Sequence, residues 1–123
     1  MRESRYWILH LISALVILVF LGLHMALMHL SGILALVDPV LAKPVAWDQV
    51  LARARSDFFT VTYVFMLAAA LYHGLYGLRT MLYELTENPA IRRTVTLSFL
   101  AGGFGLFGLG AYALIAMHLM TRT

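Results

Sequence analysis

Charged residues fall in blocks along this chain. None lies between Arg5 and Asp38, between Asp57 and Arg79, or between Arg93 and Arg122. Each uncharged stretch exceeds the roughly 20 residues that cross a bilayer as a helix. The pattern predicts an all-α membrane protein with three transmembrane helices, over about 7–30, 58–85 and 94–120, in a single domain spanning 1–123. Ser31-Gly32 and Asp38-Pro39 mark the decay of the first helix into a loop, and Asn88-Pro89 stops the second. The longest connection carries Pro44 and Trp47 among several charges. Its stretch Asp48–Arg55 reads as a short interfacial helix with Trp47 at headgroup level.

Composition agrees: 62% of residues are hydrophobic and 12% charged, against about 25% charged in soluble domains. The first apolar stretch, Trp7 to Leu30, is longer than the roughly 7–15 residues of a signal peptide's apolar region and closes on His-Leu-Ser-Gly. It is therefore expected to be a retained helix. No Arg/Ser-rich amphipathic segment precedes it, so a prokaryotic inner membrane is expected. Arg2, Arg5, Arg79, Arg92 and Arg93 flank one side, against Lys43, Arg53, Arg55 and Arg122 on the other. That excess favours a cytoplasmic N-terminus. The absence of cysteine excludes thiolate-held iron–sulfur clusters, disulfides and covalent c-type haem from this chain. A net charge of +3 spread over loops gives no case for nucleic acid as a partner.

Candidate chemistry rests on the five histidines, His10, His24, His29, His73 and His118. Polar groups at membrane depth are costly and mark function by default. With no cysteine, and no acid inside the spans, metal ligation, hydrogen bonding to a buried ligand and proton relay remain, and neutral imidazole suits haem iron. His73 is followed by Gly74 and Gly77, which clear a strip of helix surface for a porphyrin. Arg79 follows about 9 Å further on and is placed to pair with a propionate. The same spacing also suits a plain helix–helix hydrogen bond from His73. On helix 1, His24 lies about 40° from His10 and about 20° from Ser13, while His29 is about 140° away at the helix end. His24 is therefore preferred to His29 as a second ligand. His118 is at His24's level and is either an in-chain partner or an end-of-helix hydrogen bond. His24 and His73 sit at different depths and cannot share an iron, whose two axial nitrogens lie about 4 Å apart. Gly102, Gly105 and Gly108, with Ala101, form a small-residue face on helix 3, expected to serve close helix packing.

The run Leu71-Tyr72-His73-Gly74-Leu75-Tyr76-Gly77-Leu78-Arg79, with Glu84 eleven residues after the histidine, resembles the H-x-x-x-G-[IL]-R-x-x-x-x-[DE] signature of the cytochrome b membrane-anchor subunits of succinate dehydrogenase and fumarate reductase. Ser13 near the start of helix 1 and the ending Leu21-Gly22-Leu23-His24 also fit. The chain departs from the pattern at Leu11, where a basic residue is usual, and at Glu84-Leu85, where Asp-Tyr is usual. The resemblance implies a non-flavin subunit of the enzyme, not catalytic alone, packed with a second membrane anchor in lipid. It also implies a soluble iron–sulfur subunit and a flavoprotein as partners. It implies haem b, one or two groups shared with the other anchor, with His73 as ligand to an inner haem and His24 to an outer one. A quinone, menaquinone by resemblance, would be bound by Ser13, His10 and Tyr83 near the inner end. A haem-free structural anchor and a small transporter subunit are the competing readings.

Overall fold

The computed structural model describes residues 2–122. Helix α1 (Arg2–His29) is followed by the single turn α2 (Ser31–Leu34), a 3₁₀ turn at Pro39–Ala42, the short helix α3 (Trp47–Arg55), and the long helices α4 (Asp57–Glu84) and α5 (Pro89–Arg122). No strand occurs among the described residues. α1, α4 and α5 are each long and apolar enough to cross a membrane. At 1.5 Å per residue, the 28 residues of α4 extend about 42 Å, close to the full thickness of a bilayer with its headgroups.

The three predicted spans are present, and their ends differ from expectation for local reasons. α5 begins at Pro89, five residues before the apolar run at Thr94. α4 ends at Glu84, and Asn88 starts the next helix. Its Oδ1 accepts the Ala90 N–H at 2.9 Å, and Pro89 fills the first helical position, where a missing N–H costs nothing. α1 likewise starts at Arg2, because a helix continues past the hydrocarbon boundary into the headgroup layer. The interfacial segment is helical over Trp47–Arg55.

α4 is the centre of the molecule. It packs along α1 on one side and α5 on the other, while α1 and α5 share no comparable contact. The result is a layer of three helices. Among the described residues no large hydrophobic side chain is buried, and the two buried polar ones are Ser13 and His118. In lipid this inversion is stable, since the solvent is as apolar as leucine and helices associate through close packing and hydrogen bonds.

Close packing between α4 and α5 uses glycines other than those expected. A Cβ on Gly103 would lie 2.8 Å from Leu75 Cδ1, and one on Gly110 would lie 2.5 Å from Leu67 Cδ2. Gly102, Gly105 and Gly108 meet nothing within 4 Å. The three-residue repeat therefore faces out of the layer. The seam is set by a seven-residue interval instead, which returns to the same helix face after two turns.

At the far end, opposite the N-terminus, α3 closes over α4 and α5. Arg55 Nε donates to the Thr121 carbonyl at 2.9 Å, and Arg53 Nη2 donates to the Pro44 carbonyl.

Candidate functional site

The α1–α4 seam holds the densest polar cluster at membrane depth. The rings of His10 and His73 stack with centroids 4.1 Å apart and planes 6° from parallel. Ser13 Oγ donates to the His10 carbonyl at 2.7 Å, the back-bond that serines within helices often make. His73 Nδ1 lies 3.3 Å from that carbonyl and 3.4 Å from Ser13 Oγ. A carbonyl only accepts, so this contact is a hydrogen bond in the tautomer that carries its proton on Nδ1, which leaves Nε2 with a bare lone pair. That is the arrangement that fixes a ligating imidazole: one nitrogen held by a backbone carbonyl, the other free for metal.

The His10 ring lies over Gly77, at a distance where a Cβ would make ordinary van der Waals contact. A Cβ there would lie 3.5 Å from His10 Cε1. Of the two glycines expected to clear a porphyrin strip, Gly77 faces His10, and Gly74 stays open with nothing within 4 Å. Tyr76 flanks His10, ring centroids 5.0 Å apart. His10 Nδ1 is buried and has no hydrogen-bond partner. Stacked rings present their nitrogens side by side, whereas two axial ligands of one iron face each other across it. His10 is therefore no opposite ligand for His73.

A second level lies along the same layer. His24 meets Tyr63 edge to face, with centroids 5.6 Å apart and an angle of 87°. Both line a cavity of about 420 Å³ among α1, α4 and α5, with Leu21, Met66, Ala70 and Gly110 in its walls. Tyr63 precedes His73 by ten residues, about 15 Å along α4. The depth difference between His24 and His73 inferred from helix lengths is thus present. His29 is exposed at the last residue of α1.

His118 is committed elsewhere. Its Nδ1 donates to the Ala54 carbonyl at 2.7 Å and lies 3.2 Å from Thr60 Oγ1. Its Nε2 lies 2.9 Å from Asp57 Oδ1, and Asp57 also pairs with Arg122 at 2.9 Å. Both ring nitrogens face acceptors, so the end-of-helix hydrogen bond describes it and no lone pair is left for iron.

Tyr83 and Arg79 lie on the other seam. The Tyr83 hydroxyl donates to the Arg92 carbonyl at 2.9 Å and also meets the Thr96 hydroxyl. Arg79 Nε donates to Thr96 Oγ1 at 3.3 Å, and its guanidinium sits 4.4 Å from the Tyr83 ring centre. Tyr83 is ten residues past His73, again about 15 Å. Ser13 with His10 and Tyr83 with Arg79 therefore do not form opposite walls of one space. They occupy opposite sides of α4. Arg92, Thr96, Tyr63 and Tyr76 take part in these clusters and were not singled out from sequence. Each is an ordinary residue type whose part depends on a neighbouring helix.

The family model for the succinate dehydrogenase/fumarate reductase transmembrane subunit matches residues 3–110. The chain belongs to that family. No curated protein and no solved structure matches it. The matched segment of this succinate dehydrogenase/fumarate reductase transmembrane subunit contains His10, Ser13, His24, His29, His73 and Tyr83. The His118–Arg122 end of α5 lies beyond it. Its partners Ala54, Asp57 and Thr60 lie inside the match, so the far-end cluster is set apart from the others by its bonding alone.

Proposed function

We propose that the chain is the haem-carrying anchor of a succinate:quinone oxidoreductase, with His73 as an axial ligand to a haem b near the end that holds the N-terminus. The observation that carries this is the His73 Nδ1 contact to the His10 carbonyl, 3.3 Å, which leaves Nε2 free. The residues fit the group: a pre-oriented imidazole, an open Gly74 next to it, and no in-chain histidine able to face it. The opposite ligand then comes from a second anchor subunit. When bound, the haem supplies a one-electron carrier within the membrane. His24, in its cavity 15 Å further along by the helix rise, is the ligand for a second haem in the same reading.

The quinone belongs, in this proposal, beside His10 and Ser13. His10 Nδ1 is a buried polar atom without a partner, which costs free energy unless something fills its bond. A quinone oxygen is such a partner when Nδ1 carries the proton. Ser13 holds the carbonyl that fixes His73, so the two polar residues join the quinone and haem sites. Tyr83 is left out, because its hydroxyl is spent on α5. The iron–sulfur and flavoprotein subunits dock at this end, which is the cytoplasmic side of a prokaryotic inner membrane.

A spectrum of the assembled complex tests the reading. A Soret band with a reduced b-type α-band is expected. Its absence in a complex competent for dye-linked succinate oxidation would establish the haem-free structural anchor instead.

A further inference from the structure

On the face of the layer where α4 meets α5 runs a groove of about 380 Å³ whose walls are almost wholly apolar, among them Leu71, Leu75, Leu100, Phe104 and Phe107. It extends along α4 from Ala68 to Arg79. Those eleven steps span about 16 Å, which equals one leaflet of a hydrocarbon core about 30 Å thick. No histidine lines it.

Arg79 forms its polar end, and Arg92 lies just beyond its walls. Arg79 and Arg92 both lie against the Tyr83 ring, at 4.4 and 5.2 Å from its centre. Arg92 donates to the carbonyls of Thr86 and Tyr83, at 2.7 and 2.8 Å, and Arg79 to a hydroxyl. Every partner is neutral. Neither guanidinium is in an ion pair with a described residue, since the two ion pairs sit at Asp57 on the far end. Two cations beside one aromatic ring attract an anion, and planar guanidinium suits phosphate oxygens well.

We propose that this groove binds one anionic glycerophospholipid, its phosphate on Arg79 and Arg92 and an acyl chain lying along α4 towards Ala68. Length, polarity and charge select this occupant together. A neutral quinone ring leaves both cations unpaired, and a haem would find no axial ligand here. A helix from another subunit would satisfy the apolar wall but not the arginines, unless it brought an acid.

The complex, reconstituted in phosphatidylcholine nanodiscs, is probed with chain-spin-labelled phosphatidylglycerol and, separately, chain-spin-labelled phosphatidylcholine. Phosphatidylglycerol is expected to give the larger immobilised fraction. Arg79→Gln and Arg92→Gln are each expected to lower its relative affinity about fivefold, the effect of one basic residue near an anionic headgroup. Leu100→Trp fills the groove and leaves every arginine contact in place. It is expected to remove the immobilised signal, and it decides the matter if the arginine variants fail to assemble. Equal immobilisation of the two lipids overturns the proposal, as does unchanged selectivity in Arg79→Gln. Displacement of the label by free glycerol phosphate overturns it too, because the site would then hold phosphate without a chain. No immobilised lipid in the wild-type complex overturns it as well.

Discussion

His73 and His118 are the same residue type on neighbouring helices of one layer, and their surroundings differ in a way that separates function from structure. His118 has an acceptor at each nitrogen, the Ala54 carbonyl and the Asp57 carboxylate, and these bonds tie α3, α4 and α5 into a closed end. His73 has one nitrogen held and one free, and its neighbour His10 has a buried nitrogen with nothing to bond. Where a histidine only holds helices together, its hydrogen-bonding capacity is used up inside the chain. Where capacity is left over at membrane depth, at a cost, something outside the chain is expected to use it.

The largest effect follows at His73. His73→Ala is expected to remove one haem entirely from the assembled complex or to prevent assembly, because it deletes the imidazole that the His10 carbonyl holds in place. The haem-to-protein ratio measures it, and an unchanged ratio in an assembled variant would break the comparison at its functional end.

His118→Ala tests the structural end. Removing the imidazole leaves the Ala54 carbonyl and one Asp57 oxygen without their donor in a partly buried site, so a loss of about 1–3 kcal/mol is expected. Thermal unfolding of the complex should show this as a lower Tm, with the haem-to-protein ratio unchanged. Haem loss in His118→Ala, with stability intact, would reverse the two roles.

The glycine seam adds a third test, independent of histidines. Gly110→Val places methyls against Leu67, where even a Cβ would lie 2.5 Å away, and overpacking of this kind costs about 1–3 kcal/mol. Leu67→Ala in the same chain should recover most of the lost stability, since it removes the colliding carbons. Additive losses in the double variant would show that α4 and α5 meet elsewhere.

What the sequence discloses and what it withholds follow one division. The three spans are legible because blocks of charge bound them, and the family is legible because the signature around His73 is contiguous on one helix. The start of α5 is hidden, since Asn88-Pro89 reads as a stop while acting also as cap and first turn. The glycine seam is hidden for a deeper reason. Gly102, Gly105 and Gly108 make the more regular pattern, but a pattern on one helix says which residues share a face and not which face meets a neighbour. The same limit governs the site. His10 shares a stripe with Ser13 and His24 by periodicity alone, yet its seat over Gly77 and its stacking on His73 depend on the register of α1 against α4. Tyr83 and Arg79, close in sequence to His73, turn to α5 because their part of α4 faces the other way.

Ser13→Ala makes the smallest change and asks the finest question of the comparison, whether the leftover capacity near His73 serves haem, quinone or both. The hydroxyl makes one neutral hydrogen bond to the His10 carbonyl and lies near His73 Nδ1, so its removal should cost about 0.5–1.5 kcal/mol. If it acts at the quinone site, that cost appears as a rise in the quinone KM of roughly two- to tenfold. Dye-linked succinate oxidation is then expected to stay normal, because the proposed function puts the flavin and clusters in other subunits. If Ser13 acts only by fixing the carbonyl that holds His73, the quinone KM is unchanged and the haem reduction potential moves instead, since the bond to Nδ1 sets the basicity of the ligand. We expect the first result, on the ground that His10 Nδ1, one helical turn away, is buried without a partner. A shifted potential with unchanged quinone kinetics would leave His73 as ligand and move the quinone away from α1.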